Sequence, residues 1–404
     1  MRILVAEDDP VSRHLLQTTL RRWGYDVTVA ADGAEGWALF DATPFPLVIT
    51  DQEMPRLGGL ELVRRIRARP GTGYVYAMLL AASSDRAEII AGLEAGADDF
   101  ISKPFHPAEL RVRLRTGERL LRLEQELLEQ NRLLRDRNAE MEADLRTACE
   151  VQLALLPQDY PRFPRHVPAE GSHLRFFDRY WPNGAVGGDF FSVLHLSDTF
   201  AGVFLCDVMG HGVRAALVTA MVRALLEGLR PLARDPGRLL AEMNRELLDI
   251  FGKAAVPVFL SAFYATFDTT TGNLEYANAG HPVPILARRG EAHAAPLGAT
   301  EGMPGPPLGV RPDARFVPAH ASLIPGDLLL LFTDGLFEVA DASGEAFGED
   351  RLLEMVRRNL DRPVNRLFDD IHLEVATFSA GQGFSDDVCL LGMEVVSRSS
   401  GHGD

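Results

Sequence analysis

Ala201–Gly212 reads AGVFLCDVMGHG: an apolar, strand-like run, then Asp207, then a glycine-punctuated turn. The pattern returns in Leu328–Gly335 (LLLLFTDG), and Ser385-Asp386-Asp387 stands directly ahead of a further apolar run, Val388–Met393. Gly187-Gly188-Asp189 is a fourth aspartate beside small turn-formers. Carboxylates presented from strand ends through tight turns can meet at one point, and converging oxygens are what a hard divalent cation requires. Without a cation such a cluster would repel itself and take up protons. These stretches therefore predict a strand-end metal site on a β-rich scaffold.

The 404 residues exceed one ordinary core, so two or three domains are expected. A formal charge of −16 provides no net basic field to displace counterions from phosphates, which argues against nonspecific nucleic-acid binding. The three cysteines, Cys149, Cys206 and Cys389, lack paired spacing, so neither a disulfide framework nor a structural zinc site is expected. No signal peptide or membrane-spanning run is read, and a cytoplasmic location is expected.

The first segment alternates strands (Ile3–Ala6, Asp26–Ala30, Leu47–Thr50, Val75–Ala81, Asp99–Ile101) with helices (Pro10–Trp23, Ala34–Phe40, Leu60–Arg67, Arg86–Glu94). Five such units predict an α/β fold, a doubly wound five-stranded parallel sheet with chemistry at the carboxyl ends of its strands. Glu7, Asp8, Asp51 and Lys103 fall there. Glu7-Asp8-Asp9, Asp51-Gln52-Glu53-Met54-Pro55, the run Gly92–Phe100 and Lys103-Pro104-Phe105 together resemble a response-regulator receiver domain over residues 1–117. The resemblance implies that Asp51 accepts a phosphoryl group from a sensor histidine kinase. It further implies that Asp8, Asp51 and the Glu53 carbonyl hold one Mg²⁺ with Glu7 assisting, that Lys103 pairs with the phosphoryl oxygens, and that Lys103-Pro104 is a cis peptide. Ala81 departs from the pattern by standing where a small hydroxyl residue is usual, which puts the switching step in question; Ser83 or Ser84 are its possible substitutes.

From Arg111 to Leu156 the composition turns to Leu, Glu, Gln and Arg. Leu120, Leu127, Leu134, Met141 and Ala148 recur every seventh residue, with Glu124, Asn131, Asn138, Leu145 and Gln152 as companions, giving a half-polar seam. This predicts a linker helix over 118–157 forming a parallel homodimeric coiled coil of modest strength. Pro157 ends it.

Beyond the linker, strands are expected at 175–180, 190–195, 201–207, 260–268, 273–277, 284–287, 321–324, 328–332 and 388–394, with helices at 213–230, 237–251 and 350–359. Antiparallel strands flanked by helices suggest a layered sandwich. Gly188-Asp189, the run Asp207–Gly212, Asn278-Ala279-Gly280-His281, Thr333-Asp334-Gly335 and Ser385-Asp386-Asp387 resemble the metal-dependent PPM phosphatases, specifically their SpoIIE-like branch. Ala148–Pro157 (ACEVQLALLP) resembles the helix that leads into that domain. The resemblance implies an α-β-β-α sandwich over 158–397, followed by a disordered tail, 398–404.

It also implies two Mn²⁺ or Mg²⁺ ions, Asp207 bridging them, the Val208 carbonyl on one, and Asp334 and Asp386 on the other. Asp189 would orient a water, and the ions would activate it to attack phosphorus without a protein nucleophile. Asp387 is the alternative to Asp386, since adjacent residues on an extended chain point opposite ways. His211 and His281 are candidate general acids, although loop histidines more often bond backbone groups. Cys389 is expected to pack. The activity implied is serine/threonine protein phosphatase, with a phosphorylated anti-anti-sigma (STAS) protein as substrate. The rivals are a non-catalytic adaptor and a constitutive phosphatase dimerised by its receiver. The intact set of acidic positions favours the enzyme.

Overall fold

A computed structural model describes residues 1–43, 45–71, 73–82, 86–184, 186–210, 212–252, 257–298, 304–381 and 383–398. Ser83, Ser84, His211 and all but the first residue of the expected tail lie outside these ranges. The chain forms two units, Met1–Ala139 and Glu140–Asp404.

The first unit contains β1 (Arg2–Ala6), α1 (Pro10–Arg22), β2 (Asp26–Ala30), α2 (Gly33–Ala42), β3 (Leu47–Asp51), α3 (Gly59–Ala68), β4 (Tyr76–Ala81), α4 (Arg86–Glu94), β5 (Asp99–Ser102) and the start of α5 (Pro107–Leu155). The sheet order is β2-β1-β3-β4-β5, parallel throughout. Helices cover both faces, so the strands read as continuous apolar runs. Ile3 and Val5 pack with Leu16, Leu20, Leu110 and Leu114, whereas Leu4 and Ala6 pack with Phe40, Leu62 and Ile66.

The long helix starts at Pro107, ahead of the expected residue 118, because Leu110, Leu114 and Leu121 are needed to close this core. Leu121 lies beyond the 117 boundary yet is only 7% exposed. Leu120, Leu127, Leu134 and Met141 are all exposed, as an unpartnered heptad stripe should be.

The second unit contains β6 (Leu174–Trp181), β7 (Asp189–His195), β8 (Phe200–Val208), α6 (Val213–Gly228), α7 (Pro236–Phe251), β9 (Leu260–Asp268), β10 (Asn273–Ala279), β11 (Ile285–Arg288), β12 (His293–Pro296), β13 (Ala319–Ser322), β14 (Asp327–Phe332), α8 (Glu349–Arg358), α9 (Val364–Phe378) and β15 (Val388–Val395). Two antiparallel sheets form, β13-β10-β9-β8-β7 and β12-β11-β14-β15-β6. Helices α6 and α7 cover the first sheet, α8 and α9 the second, giving the expected α-β-β-α layers. The period of two sorts the residues of the second sheet. Leu329, Leu331, Leu391 and Met393 face the first sheet's core, while Leu328, Leu330, Phe332 and Leu390 pack with Leu352, Val356, Phe368 and Ile371 of the helices.

Three elements depart from the sequence reading. Strand β13 lies two residues earlier than 321–324, fixed by pairing of Ala319 with Tyr276. Strand β12 and helix α9 were not expected. Gln152 is also no seam residue: it is 6% exposed and buried within the second unit. Among the described residues no helix is long and apolar enough to cross a membrane.

Candidate active site

Antiparallel pairing brings the aspartates of the second unit to one end of the sandwich. Asp189 opens β7 and pairs with Asp207 near the end of β8. Asp334 follows β14, and Asp386 and Asp387 precede β15, beside it in the second sheet. Thr333 joins the two sheets: its Oγ1 donates to Asp189 Oδ2 at 2.7 Å and accepts from Cys389 N at 2.8 Å.

Two glycines make this approach possible. A Cβ on Gly335 would lie 2.1 Å from the Asp387 carbonyl oxygen, and one on Gly188 would lie 2.7 Å from the Val208 carbonyl oxygen. Hence the Val208 carbonyl faces Gly188 beside the Asp207 carboxylate. Gly210 and Gly212, with φ of 87° and 83°, turn the chain into α6 through a conformation that other residues rarely adopt.

The two adjacent aspartates have different surroundings. Asp387 is 3% exposed, and its carboxylate accepts from Asn183 N at 2.8 Å and Gly188 N at 2.5 Å. Asp386 is half-buried, and its charge acts on both Asp207 and Asp334. Burial, reinforced by Asp334, Asp386 and Asp387, pushes the Asp207 carboxyl up to about 7. Burial and the Asp207 charge raise Asp189 well above the ordinary range, against the opposing Thr333 hydrogen bond. Burial and Asp386 raise Asp334. Asp189 Oδ1 is buried without a hydrogen-bond donor among the described residues. Carboxyls raised by burial and by neighbouring negative charge, with Asp189 Oδ1 left without a donor, fit a divalent cation. Cys389 is fully buried, with its thiol raised by that burial, as expected for a packing residue.

Gln152 reaches this site from the last turn of α5. Its Nε2 donates to the Gly187 carbonyl at 2.6 Å, its Oε1 accepts from Gly187 N at 2.9 Å, and Nε2 also reaches Thr219 Oγ1 at 3.3 Å. A glutamine at a heptad position gave no signal of this role, since its partner lies 35 residues away. Thr333 and Glu338 also went unassigned; the Glu338 carboxyl is raised by burial and by the charges of Asp334 and Asp386.

In the first unit, Glu7, Asp8 and Asp51 each offer a carboxylate oxygen within 4.8 Å of the others. Lys103 Nζ donates to Asp51 Oδ2 at 2.5 Å and Glu7 Oε1 at 2.9 Å. Burial works to lower the ammonium, but these two carboxylates outweigh it and raise it. Burial raises Glu7 despite Lys103. Glu53 lies on the exposed loop after Asp51, and Lys103-Pro104 is cis. Ala81, buried at the end of β4, offers only its carbonyl, which accepts from Lys103 N at 2.8 Å.

Residues 3–115 match the response regulator receiver domain, and residues 197–396 match Stage II sporulation protein E (SpoIIE). The chain joins a response-regulator receiver domain to a SpoIIE phosphatase domain. Chemotaxis protein CheY1 of Helicobacter pylori is 36% identical over 116 residues, which cover 28% of this chain and 94% of that protein. The probable transcriptional regulator ycf27 of Porphyridium aerugineum is 42% identical over 28% of this chain and 47% of its own length. This chain thus spans about half the length of the first curated relatives it matches. The SiaA-PP2C domain of Pseudomonas aeruginosa superposes with a TM-score of 0.55 at 23% identity, covering 64% of this chain and 98% of that domain, a likeness of fold. The SpoIIE match begins after Asp189, which joins the site through its register with Asp207.

Proposed function

We propose that this receiver–SpoIIE chain is a metal-dependent serine/threonine protein phosphatase whose activity is set by phosphorylation of Asp51. The observation that carries the reading is that Asp189, Asp207, Asp334 and Asp386 stand at one end of the two sheets and act on one another's charge, with the Asp207 carboxyl raised to about 7 by burial and by Asp334, Asp386 and Asp387. Asp207, with the Val208 carbonyl, Asp334 and Asp386, would hold two Mn²⁺ or Mg²⁺ ions. Asp387 supports the site by fixing the Gly188 turn. Bound there, the ions supply Lewis acidity and an activated water. Asp189 would orient that water, a role supported by Thr333, which holds one of its carboxylate oxygens. In the receiver, Asp8, Asp51 and the Glu53 carbonyl would hold Mg²⁺, with Glu7 assisting and Lys103 ready to pair with a phosphoryl group.

A histidine kinase is the phosphodonor that a receiver implies, and a phosphorylated STAS protein is the substrate class that a SpoIIE domain implies. The location would be cytoplasmic. The heptad stripe Leu120, Leu127, Leu134 and Met141 would pair two copies in parallel, and the Gln152–Gly187 clamp would connect the end of that helix to the carboxylate turn. The direct test is release of phosphate from a phosphoserine STAS protein with and without Mn²⁺; no Mn²⁺-dependent release would refute the proposal.

Receiver control has its own test. Acetyl phosphate is expected to change the turnover rate, and Asp51→Asn to remove that change. Ala81 favours a second reading, in which the phosphatase is constitutive and the receiver only dimerises it. Equal rates with and without acetyl phosphate would establish that reading instead.

Metal binding should also depend on pH. Below about 7 a proton occupies Asp207 and competes with the cation. Mn²⁺ affinity is therefore expected to fall about tenfold per pH unit for each proton displaced, over the range below about pH 7. Calorimetric titrations at several pH values measure the slope; a flat response would contradict a carboxylate cluster that loads by losing protons.

A further inference from the structure

The row of paired residues that contains Asp189 and Asp207 continues into β9, where Ser261 pairs with Asp207. Directly paired residues on neighbouring strands share a face of the sheet, so Ser261 flanks Asp207 on the side away from Asp189. Ser261 Oγ lies 2.8 Å from His281 Nδ1. The imidazole is 2% exposed, and its Nε2 is buried without a hydrogen-bond partner among the described residues.

The turn that carries His281 is closed on itself. His281 N donates to Asn278 Oδ1 at 2.8 Å, Asn278 Nδ2 donates to the His281 carbonyl at 2.9 Å, and Gly280 bridges to Ala262 beside Ser261. Burial holds the imidazole down to about 3, against the Phe332 backbone, which favours the charged form. Phe332 ends β14, two residues before Asp334. The ring therefore meets β9 beside Asp207 and the end of the strand that presents Asp334.

We propose that His281 is a positioning residue, a buried imidazole that acts through Ser261 and the end of β14 to fix Asp207 relative to Asp334 and so sets the affinity of the carboxylate cluster for a divalent cation. It rests on the reading of that cluster as a cation site. It differs from a general-acid role, because a ring kept neutral in the core carries only an N–H too weakly acidic to protonate a leaving group at neutral pH. The unassigned half of the Asn278–His281 motif thereby gains a function: Asn278 locks the turn, and His281 supports a ligand. Partners of this kind typically change metal affinity about 10–100-fold when removed.

The test is calorimetric titration of the full-length chain with Mn²⁺, alongside the pH dependence of phosphoserine hydrolysis. His281→Phe keeps the ring volume and is expected to weaken Mn²⁺ binding by about 10–100-fold. Ser261→Ala, which deletes a single oxygen and so is the variant to rely on if His281→Phe fails to fold, should weaken it by about tenfold. The double variant should be no worse than His281→Phe, because the two side chains act as one unit. His281→Asn, whose amide can reproduce the Nδ1 contact, should restore most of the affinity. The pH profile should keep its shape in every variant. Mn²⁺ affinity within about twofold of wild type in both single variants, or loss of one limb of the profile on substituting His281, would overturn the proposal. A wild-type chain that binds no Mn²⁺ would overturn it together with the cation-site reading, whereas a binding wild type with unaffected variants would overturn the positioning role alone.

Discussion

Asp207→Ala is expected to cut hydrolysis of a phosphoserine substrate by at least about 10³-fold, equivalent to roughly 4 kcal/mol of lost transition-state stabilisation. The magnitude follows from its place in the cluster. It pairs with Asp189 across β7 and β8, and the charges of Asp334 and Asp386 both act on it, so its removal takes away the carboxylate common to both sheets. The same substitution should stabilise the metal-free protein. An aspartate whose folded-state value exceeds its unfolded value binds more protons when folded, so stability falls as pH rises between the two values. For Asp207 that window runs from 3.8 to about 7. The gain on substitution is therefore absent at the acid end and reaches about 1–3 kcal/mol above the window. Phosphate release measures the loss and metal-free thermal unfolding at two pH values measures the gain. Retained turnover in Mn²⁺ would rule out the proposed site. Lower metal-free stability above pH 7 would show that the cluster is held by something other than a missing cation.

The parts of this molecule that the sequence disclosed are those where chemistry and neighbours along the chain coincide. The receiver strands were readable because Ile3–Ala6 and Leu47–Ile49 are buried on both faces and must be apolar throughout. The carboxylates were readable because each sits beside a glycine or small residue that a tight approach demands, as Gly188 and Gly335 show. Helix α9 has Val364, Leu367, Phe368, Ile371 and Val375 at helical spacing, but it carries no motif that marks it. Strand β12 (HAAP) was not legible. Neither its alternation nor its propensity marks a strand, and only pairing with β11 holds it extended.

Gln152 shows a different limit. Its heptad position and its amide are both visible in the chain, yet the reason it is buried is Gly187, a tertiary partner. A polar residue that interrupts an apolar stripe can specify register or can satisfy a backbone group elsewhere. Periodicity alone does not separate the two. Thr333 illustrates the same point at closer range, since its hydroxyl is committed to Asp189 on the other sheet while its neighbour Asp334 supplies the recognisable motif.

Asp387→Ala and Asp386→Ala should fail in opposite ways. Asp387 is almost wholly buried and satisfies two backbone donors, Asn183 N and Gly188 N. Its removal leaves both N–H groups without an acceptor in a dry site, a cost of about 2–4 kcal/mol. For a domain of this size that corresponds to a fall in Tm of roughly 5–12 °C. The Gly188 turn would loosen with it, so activity should fall as a consequence of stability and position. Asp386 has no such structural duty: its carboxylate accepts from the adjacent Asp387 N at 2.8 Å. Asp386→Ala should therefore leave the metal-free Tm within about 2 °C, the range of an ordinary surface substitution. It should instead weaken Mn²⁺ binding by at least about tenfold, because it takes a carboxylate from beside Asp207 and Asp334. Asp387→Asn, which keeps one acceptor oxygen, should recover part of the stability lost in Asp387→Ala. Thermal unfolding and Mn²⁺ calorimetry on the same three proteins separate the roles. The opposite pattern, a cation lost with Asp387 and a fold weakened with Asp386, would exchange the two assignments.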